Sequence, residues 1–179
     1  MRSTFNNWYE NKVRSNPELS EETDQIENIL KDIKTIAIVG ISRNRHRDSH
    51  YVGRYLQNAG YKIFPVNPGA ETILGVKAYD DLASIPEKID AVDVFVNPKY
   101  VPQIVDQAID IKPKAIWLQL GAGTHPAEVE KAKNAGVILV QNRCMKVDHQ
   151  FLIRDKGQGA PTCEINFNKK YEPSTNQPI

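Results

Sequence analysis

Five short apolar runs alternate with segments of helical or loop composition through the middle of this 179-residue chain. Several intervening segments repeat apolar residues at a period near 3.6, and Gly or Pro stands where such helices end or begin. This alternation favours a parallel sheet with helices on both faces, because each crossover lays its helix back on the sheet. The sequence therefore predicts a doubly wound, Rossmann-like α/β domain, with strands near 35–39, 61–66, 91–96, 115–120 and 137–141, and helices over 50–59, 98–110 and 126–135.

The flanks of this domain differ from it in composition. Residues 1–33 are predicted to form a helical extension, in which Pro17 ends one segment and Ser20 caps a second. The Rossmann-like domain is assigned to residues 34–150, and residues 151–179 are predicted to be a polar, loop-like C-terminal tail. Inside the domain, residues 67–79 are predicted to form a long irregular connection.

The end of the first apolar run carries the clearest functional signal. The run stops at Gly40 and Ser42, the segment 43–48 then supplies three arginines, and Ser49 is predicted to cap the following helix. A strand, a basic loop and a helix start together form an anion site, because helix-terminal amides and the helix dipole favour phosphate. The alternative is a solvated surface loop, since short arginine runs are common on surfaces.

Overall charge and cysteine content limit the classes of partner. The 23 basic and 22 acidic residues give a net charge of +1, so no global field favours nucleic acid. Cys144 and Cys163 match neither a metal-binding spacing nor a secreted disulfide framework. The sequence has no signal-peptide pattern and no membrane-spanning run, so we expect a soluble cytoplasmic protein with no metal.

Small, amide or basic residues follow all five predicted strands. In doubly wound sheets ligands bind at the carboxyl edge, so these residues are expected to share one site. At any single strand end the alternative is that the turn needs such residues for backbone reasons. The candidate binding residues are Gly40, Ile41, Ser42, Arg43, Ser49, Val66, Asn67, Pro68, Val96, Asn97, Pro98, Gln119, Gly121, Asn142, Arg143 and Cys144.

The same residues argue against a nicotinamide dinucleotide as ligand. The dinucleotide fingerprint needs three spaced glycines and an acid at the end of the second strand to bind the ribose. Here the loop has one glycine, and the second strand ends at Val66 and Asn67. An adenine nucleotide that carries an additional phosphate suits the arginines better.

Four motifs make the chain similar to the small CoA-binding proteins, which resemble the N-terminal CoA-binding domain of the succinyl-CoA synthetase alpha subunit. The resemblance covers about residues 34–150. It implies that Gly40, Ser42 and Arg43 lie against the CoA pyrophosphate and that residues 66–68 flank the adenosine half, while residues 96–98 match the family's third-strand ending. The motifs are Ile36-Ala-Ile-Val-Gly-Ile-Ser42, Tyr55-Leu with Gly60 to Pro68, Trp117-Leu-Gln-Leu-Gly121, and Asn142-Arg-Cys-Met145.

No catalytic constellation is visible in the sequence. The four histidines, His46, His50, His125 and His149, have no paired acid that the sequence reveals, and the second domain of the synthetase has no room in this chain. Cys144 is the one plausible reactive group, because Arg143 and Lys146 beside it favour the thiolate. The alternative is that Cys144 is a small core residue.

The sequence thus predicts a non-catalytic protein that binds CoA or acyl-CoA as a carrier or sensor. One alternative is a nicotinamide-dependent or acyl-transfer enzyme that a partner completes. Another is a protein-interaction module that a nucleotide stabilises, in which the N-terminal helices or the tail dock a partner. Homo-oligomer formation and the acyl group are left open.

Overall fold

The predicted strands form one parallel sheet in a computed structural model, which describes residues 17–154. The strands are β1 (Thr35–Val39), β2 (Lys62–Val66), β3 (Thr72–Ile73), β4 (Val76–Lys77), β5 (Ala91–Val94), β6 (Ala115–Leu118) and β7 (Ile138–Gln141). Five of them pair in the order β2-β1-β5-β6-β7, while β3 and β4 form a separate antiparallel hairpin. The predicted Rossmann-like α/β fold is confirmed.

Helices precede, connect and follow the strands of the sheet. They are α1 (Pro17–Asp32), α2 (Asp48–Asn58), α3 (Val101–Asp110), α4 (Pro126–Asn134) and α5 (Met145–His149). A 3₁₀ turn (Pro98–Tyr100) precedes α3, and a π-helical segment (Gln150–Arg154) follows α5. Within residues 17–154, no helix combines the length and apolar character that a membrane crossing requires.

The described residues divide into two units. Residues 33–145 form the unit that contains the sheet, and residues 17–32 group with residues 146–154. In the second unit α1 packs beside the π-helical segment, and Ile26 and Leu30 are fully buried. Residues 1–16 and 155–179 lie outside the described part, as does most of the predicted C-terminal tail.

The two faces of the sheet carry different residues because side chains alternate along each strand. Val92 and Val94 of β5 belong to a buried apolar cluster that Val101 and Val105 of α3 complete. The other face carries Asp93, whose neighbours in register are Ile38 and Trp117. Helix α2 lies close to this second face, because a Cβ added at Gly53 would stand 2.8 Å from Ile41 Cδ1 and 3.1 Å from Ile38 Cδ1.

Gly40 is required by the sheet itself. Its φ of +79° lies in the left-handed region, and an added Cβ would stand 2.3 Å from the carbonyl oxygen of Phe95, the residue that follows the neighbouring strand β5. Its own N–H donates to the carbonyl of Val66 at 3.0 Å. The glycine therefore ends β1 between the segment after β5, which leaves no room for a side chain, and β2, to which it is hydrogen-bonded.

Several local predictions are wrong. Ser20 lies inside α1 and does not cap it, because the helix begins at Pro17, a residue that suits the first helical position. The segment that Pro17 is predicted to end lies outside the described residues. The connection over residues 67–79 is partly ordered as the β3–β4 hairpin, and Tyr79 then pairs beside Val66. The predicted third and fourth strands are each two residues too long at the carboxyl end. Residues 95–96 lie beyond β5 and residues 119–120 lie beyond β6, although Phe95, Val96 and Leu120 are apolar and Gln119 is buried.

Candidate functional site

The carboxyl ends of the five strands form one row in register. Val66, Val39, Val94, Leu118 and Gln141 are partners in register across the sheet. The chain passes from β1 outward to β2 and then returns to the other side of β1, so strand order reverses between β1 and β5. Ligands of doubly wound sheets bind at this switch point. The structure therefore brings all five predicted strand endings to one edge.

Ser42 organises the first loop through hydrogen bonds of its own. Its backbone N–H donates to Ser49 Oγ at 3.0 Å, its Oγ accepts from the Asn44 N–H at 3.1 Å, and its carbonyl lies 2.8 Å from His50 Nδ1. The prediction that Ser49 caps the helix is wrong, because α2 begins at Asp48 with Arg47 at the N-cap position. The Ser49 hydroxyl instead closes the loop onto the helix.

The start of α2 is left with free donors. Among the described residues, nothing accepts from the backbone N–H groups of Asp48, Ser49 and His50, or from those of Ile41 and Arg43 in the preceding loop. The side chains of the three loop arginines are exposed at the same place. Free amides at a helix N-terminus together with cationic side chains make an anion-binding site. The Asp48 carboxylate is the acidic group in the first turn of this helix.

The loop after β2 is tied to the loop after β1. Asn67 Nδ2 donates to the Ile41 carbonyl at 2.7 Å, and the Asn67 backbone N–H donates to the carbonyl of Tyr79 at 2.9 Å. Pro68 is exposed beside it. The carboxamide of Asn67 thus joins the ends of two neighbouring strands, and its Oδ1 is the group that remains for a ligand.

The loop after β5 adjoins the loop after β6. Asn97 Oδ1 accepts from the Lys99 N–H at 3.1 Å and so caps the 3₁₀ turn that Pro98 begins. A Cβ added at Gly123 would stand 3.4 Å from Pro98 Cβ. Asn97 Oδ1 is therefore already bonded within its own loop. Val96, the residue before it, is half-buried.

Sequence reasoning missed Asp93, which is fully buried beneath this edge. Both of its carboxylate oxygens accept from Gln119 Nε2, at 2.9 and 3.0 Å. Burial raises the pKa of Asp93 to about 8, and the Gln119 amide and the Val94 backbone N–H oppose that rise. The signal in the sequence is a single acid inside the apolar run 91–94.

The loops after β6 and β7 are hydrogen-bonded to each other. The His125 backbone N–H donates to Gln141 Oε1 at 3.0 Å, and Asn142 Nδ2 donates to Thr124 Oγ1 at 2.9 Å. The His125 ring lies with Nε2 2.7 Å from the Ala122 carbonyl and Nδ1 3.9 Å from a carboxylate oxygen of Glu128. The fold thus supplies the acid partner that the sequence did not reveal.

Arg143 and Cys144 follow β7 at the far end of the row. The carbonyl of Arg143 accepts from Trp117 Nε1 at 3.1 Å, so Trp117 is a buried anchor for this loop. Asn142 has a φ of +56° and is exposed. Cys144 is half-buried and forms no disulfide within the described residues.

A doubly wound parallel sheet whose loops meet at a switch point defines a Rossmann-like α/β domain. The model of a CoA-binding domain family matches residues 34–150, and the chain belongs to that family. The predicted family is therefore confirmed.

Relatives of this chain include free-standing and enzyme-embedded domains. An uncharacterized protein, YneT of Bacillus subtilis, is 36% identical over 125 residues, which are 70% of this chain and 92% of YneT. A solved hypothetical protein from Pyrococcus horikoshii OT3 is 41% identical with a TM-score of 0.68, over 72% of this chain and 89% of that protein.

The second kind of relative is a much larger enzyme. The ADP-forming acetate–CoA ligase II of Archaeoglobus fulgidus is 34% identical over 81 residues, which are 42% of this chain and 12% of the ligase. The chain is thus related to one domain of such ligases and spans about an eighth of this one.

Proposed function

We propose that this protein binds CoA or an acyl-CoA along the carboxyl edge of the sheet and serves as a non-catalytic carrier or sensor. The observation that carries the proposal is the start of α2, where free amides and three exposed arginines stand at the switch point. Membership of the CoA-binding domain family supports it.

The phosphates of the ligand are assigned to the first loop. We assign the pyrophosphate to the backbone amides of Ile41, Arg43 and the first turn of α2. The arginine side chains of the loop supply positive charge beside them. The amide of Ser42 is excluded because it is bonded to Ser49. The additional 3′-phosphate of CoA gives the remaining arginines a partner.

The adenosine half is assigned to the loop after β2. This strand ends at Val66 and Asn67 without a carboxylate that could bind a ribose diol. Asn67 Oδ1 and the exposed ring of Pro68 are the groups that the structure leaves for the nucleoside. Residues 96–98 lie across the switch point from them.

The pantetheine arm then extends in the direction that the strand order dictates. Because β2 is at one end of the row and β7 at the other, an arm that leaves β1 passes β5 and β6 on the way to β7. It meets in turn Gln119, Gly121, Asn142, Arg143 and Cys144.

A binding role rests on the groups at the switch point, where free amides and exposed arginines suit an anion. One ring nitrogen of His50 and one of His125 lie 2.8 and 2.7 Å from backbone carbonyls, so each of these nitrogens has a local partner. The two cysteines, Cys144 and Cys163, match no secreted disulfide framework, which supports a reducing, cytoplasmic location.

Calorimetric titration with CoA, dephospho-CoA and NAD tests the proposal. We expect CoA to bind most tightly, and loss of the 3′-phosphate to weaken binding by about 1.5–3 kcal/mol, as for a hydrogen bond to a charged group. Arg43→Gln should weaken CoA binding, whereas Arg54→Gln, an exposed arginine further along α2, should not. Equal affinity for CoA and NAD would overturn the proposal.

The relation to ADP-forming acetate–CoA ligases favours a second candidate, a CoA-binding module that a partner chain completes as an acyl-transfer enzyme. Acyl-CoA turnover by the purified chain, alone and with proteins that it retains on an affinity matrix, separates the two. Turnover that appears only with the partner present supports this second function.

A further inference from the structure

Asp93 occupies an unusual place for a carboxyl group. It lies on β5, the middle strand of the sheet, and is 0% exposed. Its neighbours in register, Ile38 and Trp117, are apolar and fully buried. Within the described residues, the groups bonded to its carboxylate are one side-chain amide and one backbone N–H, and no cation is among them. An apolar residue would be accommodated here at lower cost.

The partner of Asp93 stands at the edge row. Gln119 follows the last residue of β6, and its backbone N–H donates to the Val94 carbonyl at 3.3 Å. Because Nε2 faces both oxygens of Asp93, Oε1 on the other arm of the same carboxamide is directed away from the carboxylate. Gln119 directly follows the row residue Leu118, so its carboxamide lies at the carboxyl edge, where 3% of the residue is exposed. Leu120, the next residue, is 47% exposed there.

We propose that Asp93 is a positioning residue, which orients the Gln119 carboxamide so that Oε1 accepts a hydrogen bond from the pantetheine arm of the ligand. The inference rests on the proposed function. It specifies an N–H or O–H donor in the arm, because Oε1 has lone pairs and no proton. The adenosine half is excluded as the donor, since it is assigned to β2 and β6 lies three strands away from β2.

Two ligands and three variants of the full chain test the inference above about pH 8, where Asp93 is a carboxylate. Asp93→Leu removes the carboxylate, Gln119→Met removes the acceptor, and Asp93→Asn restores an oxygen that can receive Nε2. We expect Asp93→Leu and Gln119→Met each to weaken CoA binding about tenfold, the scale of one hydrogen bond. Adenosine 3′,5′-bisphosphate, which lacks the arm, should bind all forms within about twofold, and Asp93→Asn should restore most of the CoA affinity.

The double variant Asp93→Leu/Gln119→Met shows whether Asp93 acts through Gln119. If it does, the double variant binds CoA as weakly as either single variant, because the two changes remove one interaction. Additive losses, or equal losses with both ligands, would identify a general disturbance of the edge and overturn the inference.

A measurement on the wild-type protein covers the case in which Asp93→Leu does not fold. The Gln119 side-chain amide resonances, assigned by their loss in Gln119→Met, should shift with CoA and not with adenosine 3′,5′-bisphosphate. If the protein binds CoA but these resonances do not shift, the inference is overturned while the proposed function stands. Wild-type protein that fails to bind CoA at all overturns the proposed function, and the inference with it.

Discussion

The two halves of the carboxyl edge use polar groups in opposite ways. At the β1 end, several backbone amides of residues 41–50 have no acceptor within residues 17–154, and three arginines are exposed. At the β6–β7 end, Gln119, His125 and Asn142 are bonded to Asp93, Gln141 and Thr124. Free donors and cations suit a charged ligand, whereas satisfied groups hold a surface in one shape. Substitutions in the first half should therefore alter affinity for the ligand phosphates. In the second half, substitutions of the bonded groups should alter stability, apart from Gln119 and its partner Asp93, which are proposed to serve the pantetheine arm as well.

Gly40→Val should be the strongest exception to this division. Gly40 lies in the half that is proposed to bind the phosphates, but its substitution should mainly lower the stability of the sheet. We expect the free energy of unfolding to fall by more than about 3 kcal/mol, since a β-branched residue at φ +79° would also meet the Phe95 carbonyl.

Gly60→Ala is the matched control. Gly60 has a φ of +101°, but nothing lies within 4 Å of an added Cβ, so the cost should be about 1 kcal/mol. Urea unfolding of both variants measures the difference. A folded Gly40→Val protein with a wild-type midpoint that has lost CoA binding would return Gly40 to the ligand site.

Asp93→Asn should change how stability depends on pH. The pKa of Asp93 is raised from 3.8 in the unfolded chain to about 8 in the folded one, so between these values the folded state holds a proton that the unfolded state releases. The contribution of Asp93 is therefore fully present below about pH 4 and is lost as pH rises towards 8.

The advantage of Asp93→Asn over wild type should accordingly grow between pH 5 and pH 8. Urea unfolding at three pH values measures it. Asp90 does not interfere. Burial raises its pKa, but the backbone N–H groups of Lys34 and Thr35 outweigh that effect and leave it lowered, so Asp90 titrates in a more acidic range. Parallel pH profiles for the two proteins would contradict the raised pKa of Asp93.

His125→Ala and Arg45→Ala sharpen the comparison as a pair. The histidine variant should lose about 1 kcal/mol of stability, because it removes the contact of Nε2 with the Ala122 carbonyl. The arginine variant should keep wild-type stability within about 0.5 kcal/mol, because its side chain is exposed, but should bind CoA more weakly. Urea unfolding and CoA titration of both variants measure these effects. A loss of affinity without a loss of stability in His125→Ala, together with the opposite result in Arg45→Ala, would contradict the division between the two halves.

Asp48→Asn should have the smallest effect. Asp48 places a negative charge in the first turn of α2, where the ligand phosphates are assigned. Its removal should raise CoA affinity about twofold at low salt, and the gain should vanish at high salt as screening increases. Asp110→Asn, at the other end of α3 from the edge, is the control. A salt-independent change in affinity would show that Asp48 acts through structure.

The sequence predicted the sheet well because burial on two faces makes its strands apolar throughout. Residues 35–39 were placed without error, whereas residues 95–96 were added to β5, because apolar side chains continue into the half-buried loop. The β3–β4 hairpin escaped prediction because strands of two residues show no period.

The candidate site was predictable in position and less so in detail. That polar residues gather at one edge follows from parallel strands alone, and the row in register bears it out. The use of each group depends on distant partners. The Ser49 hydroxyl oxygen accepts from the backbone N–H of Ser42, seven residues away. Asp93 accepts from Gln119 Nε2, 26 residues away. Local patterns carry no information about such pairings.

The row of strand ends has a consequence for ligand fragments. Neighbouring strands stand about 4.8 Å apart, so the four steps from β2 to β7 measure about 19 Å. An extended ligand that spans this distance would contact the loop after β2 at one end and the loop after β7 at the other. These two surfaces share no side chain. Each end should then recognise its own fragment weakly, and the covalent linker converts the second contact into an intramolecular one with a millimolar effective concentration. Affinity for the whole molecule would arise largely from that linkage, and cutting the ligand at its middle should cost more than removing any single contact.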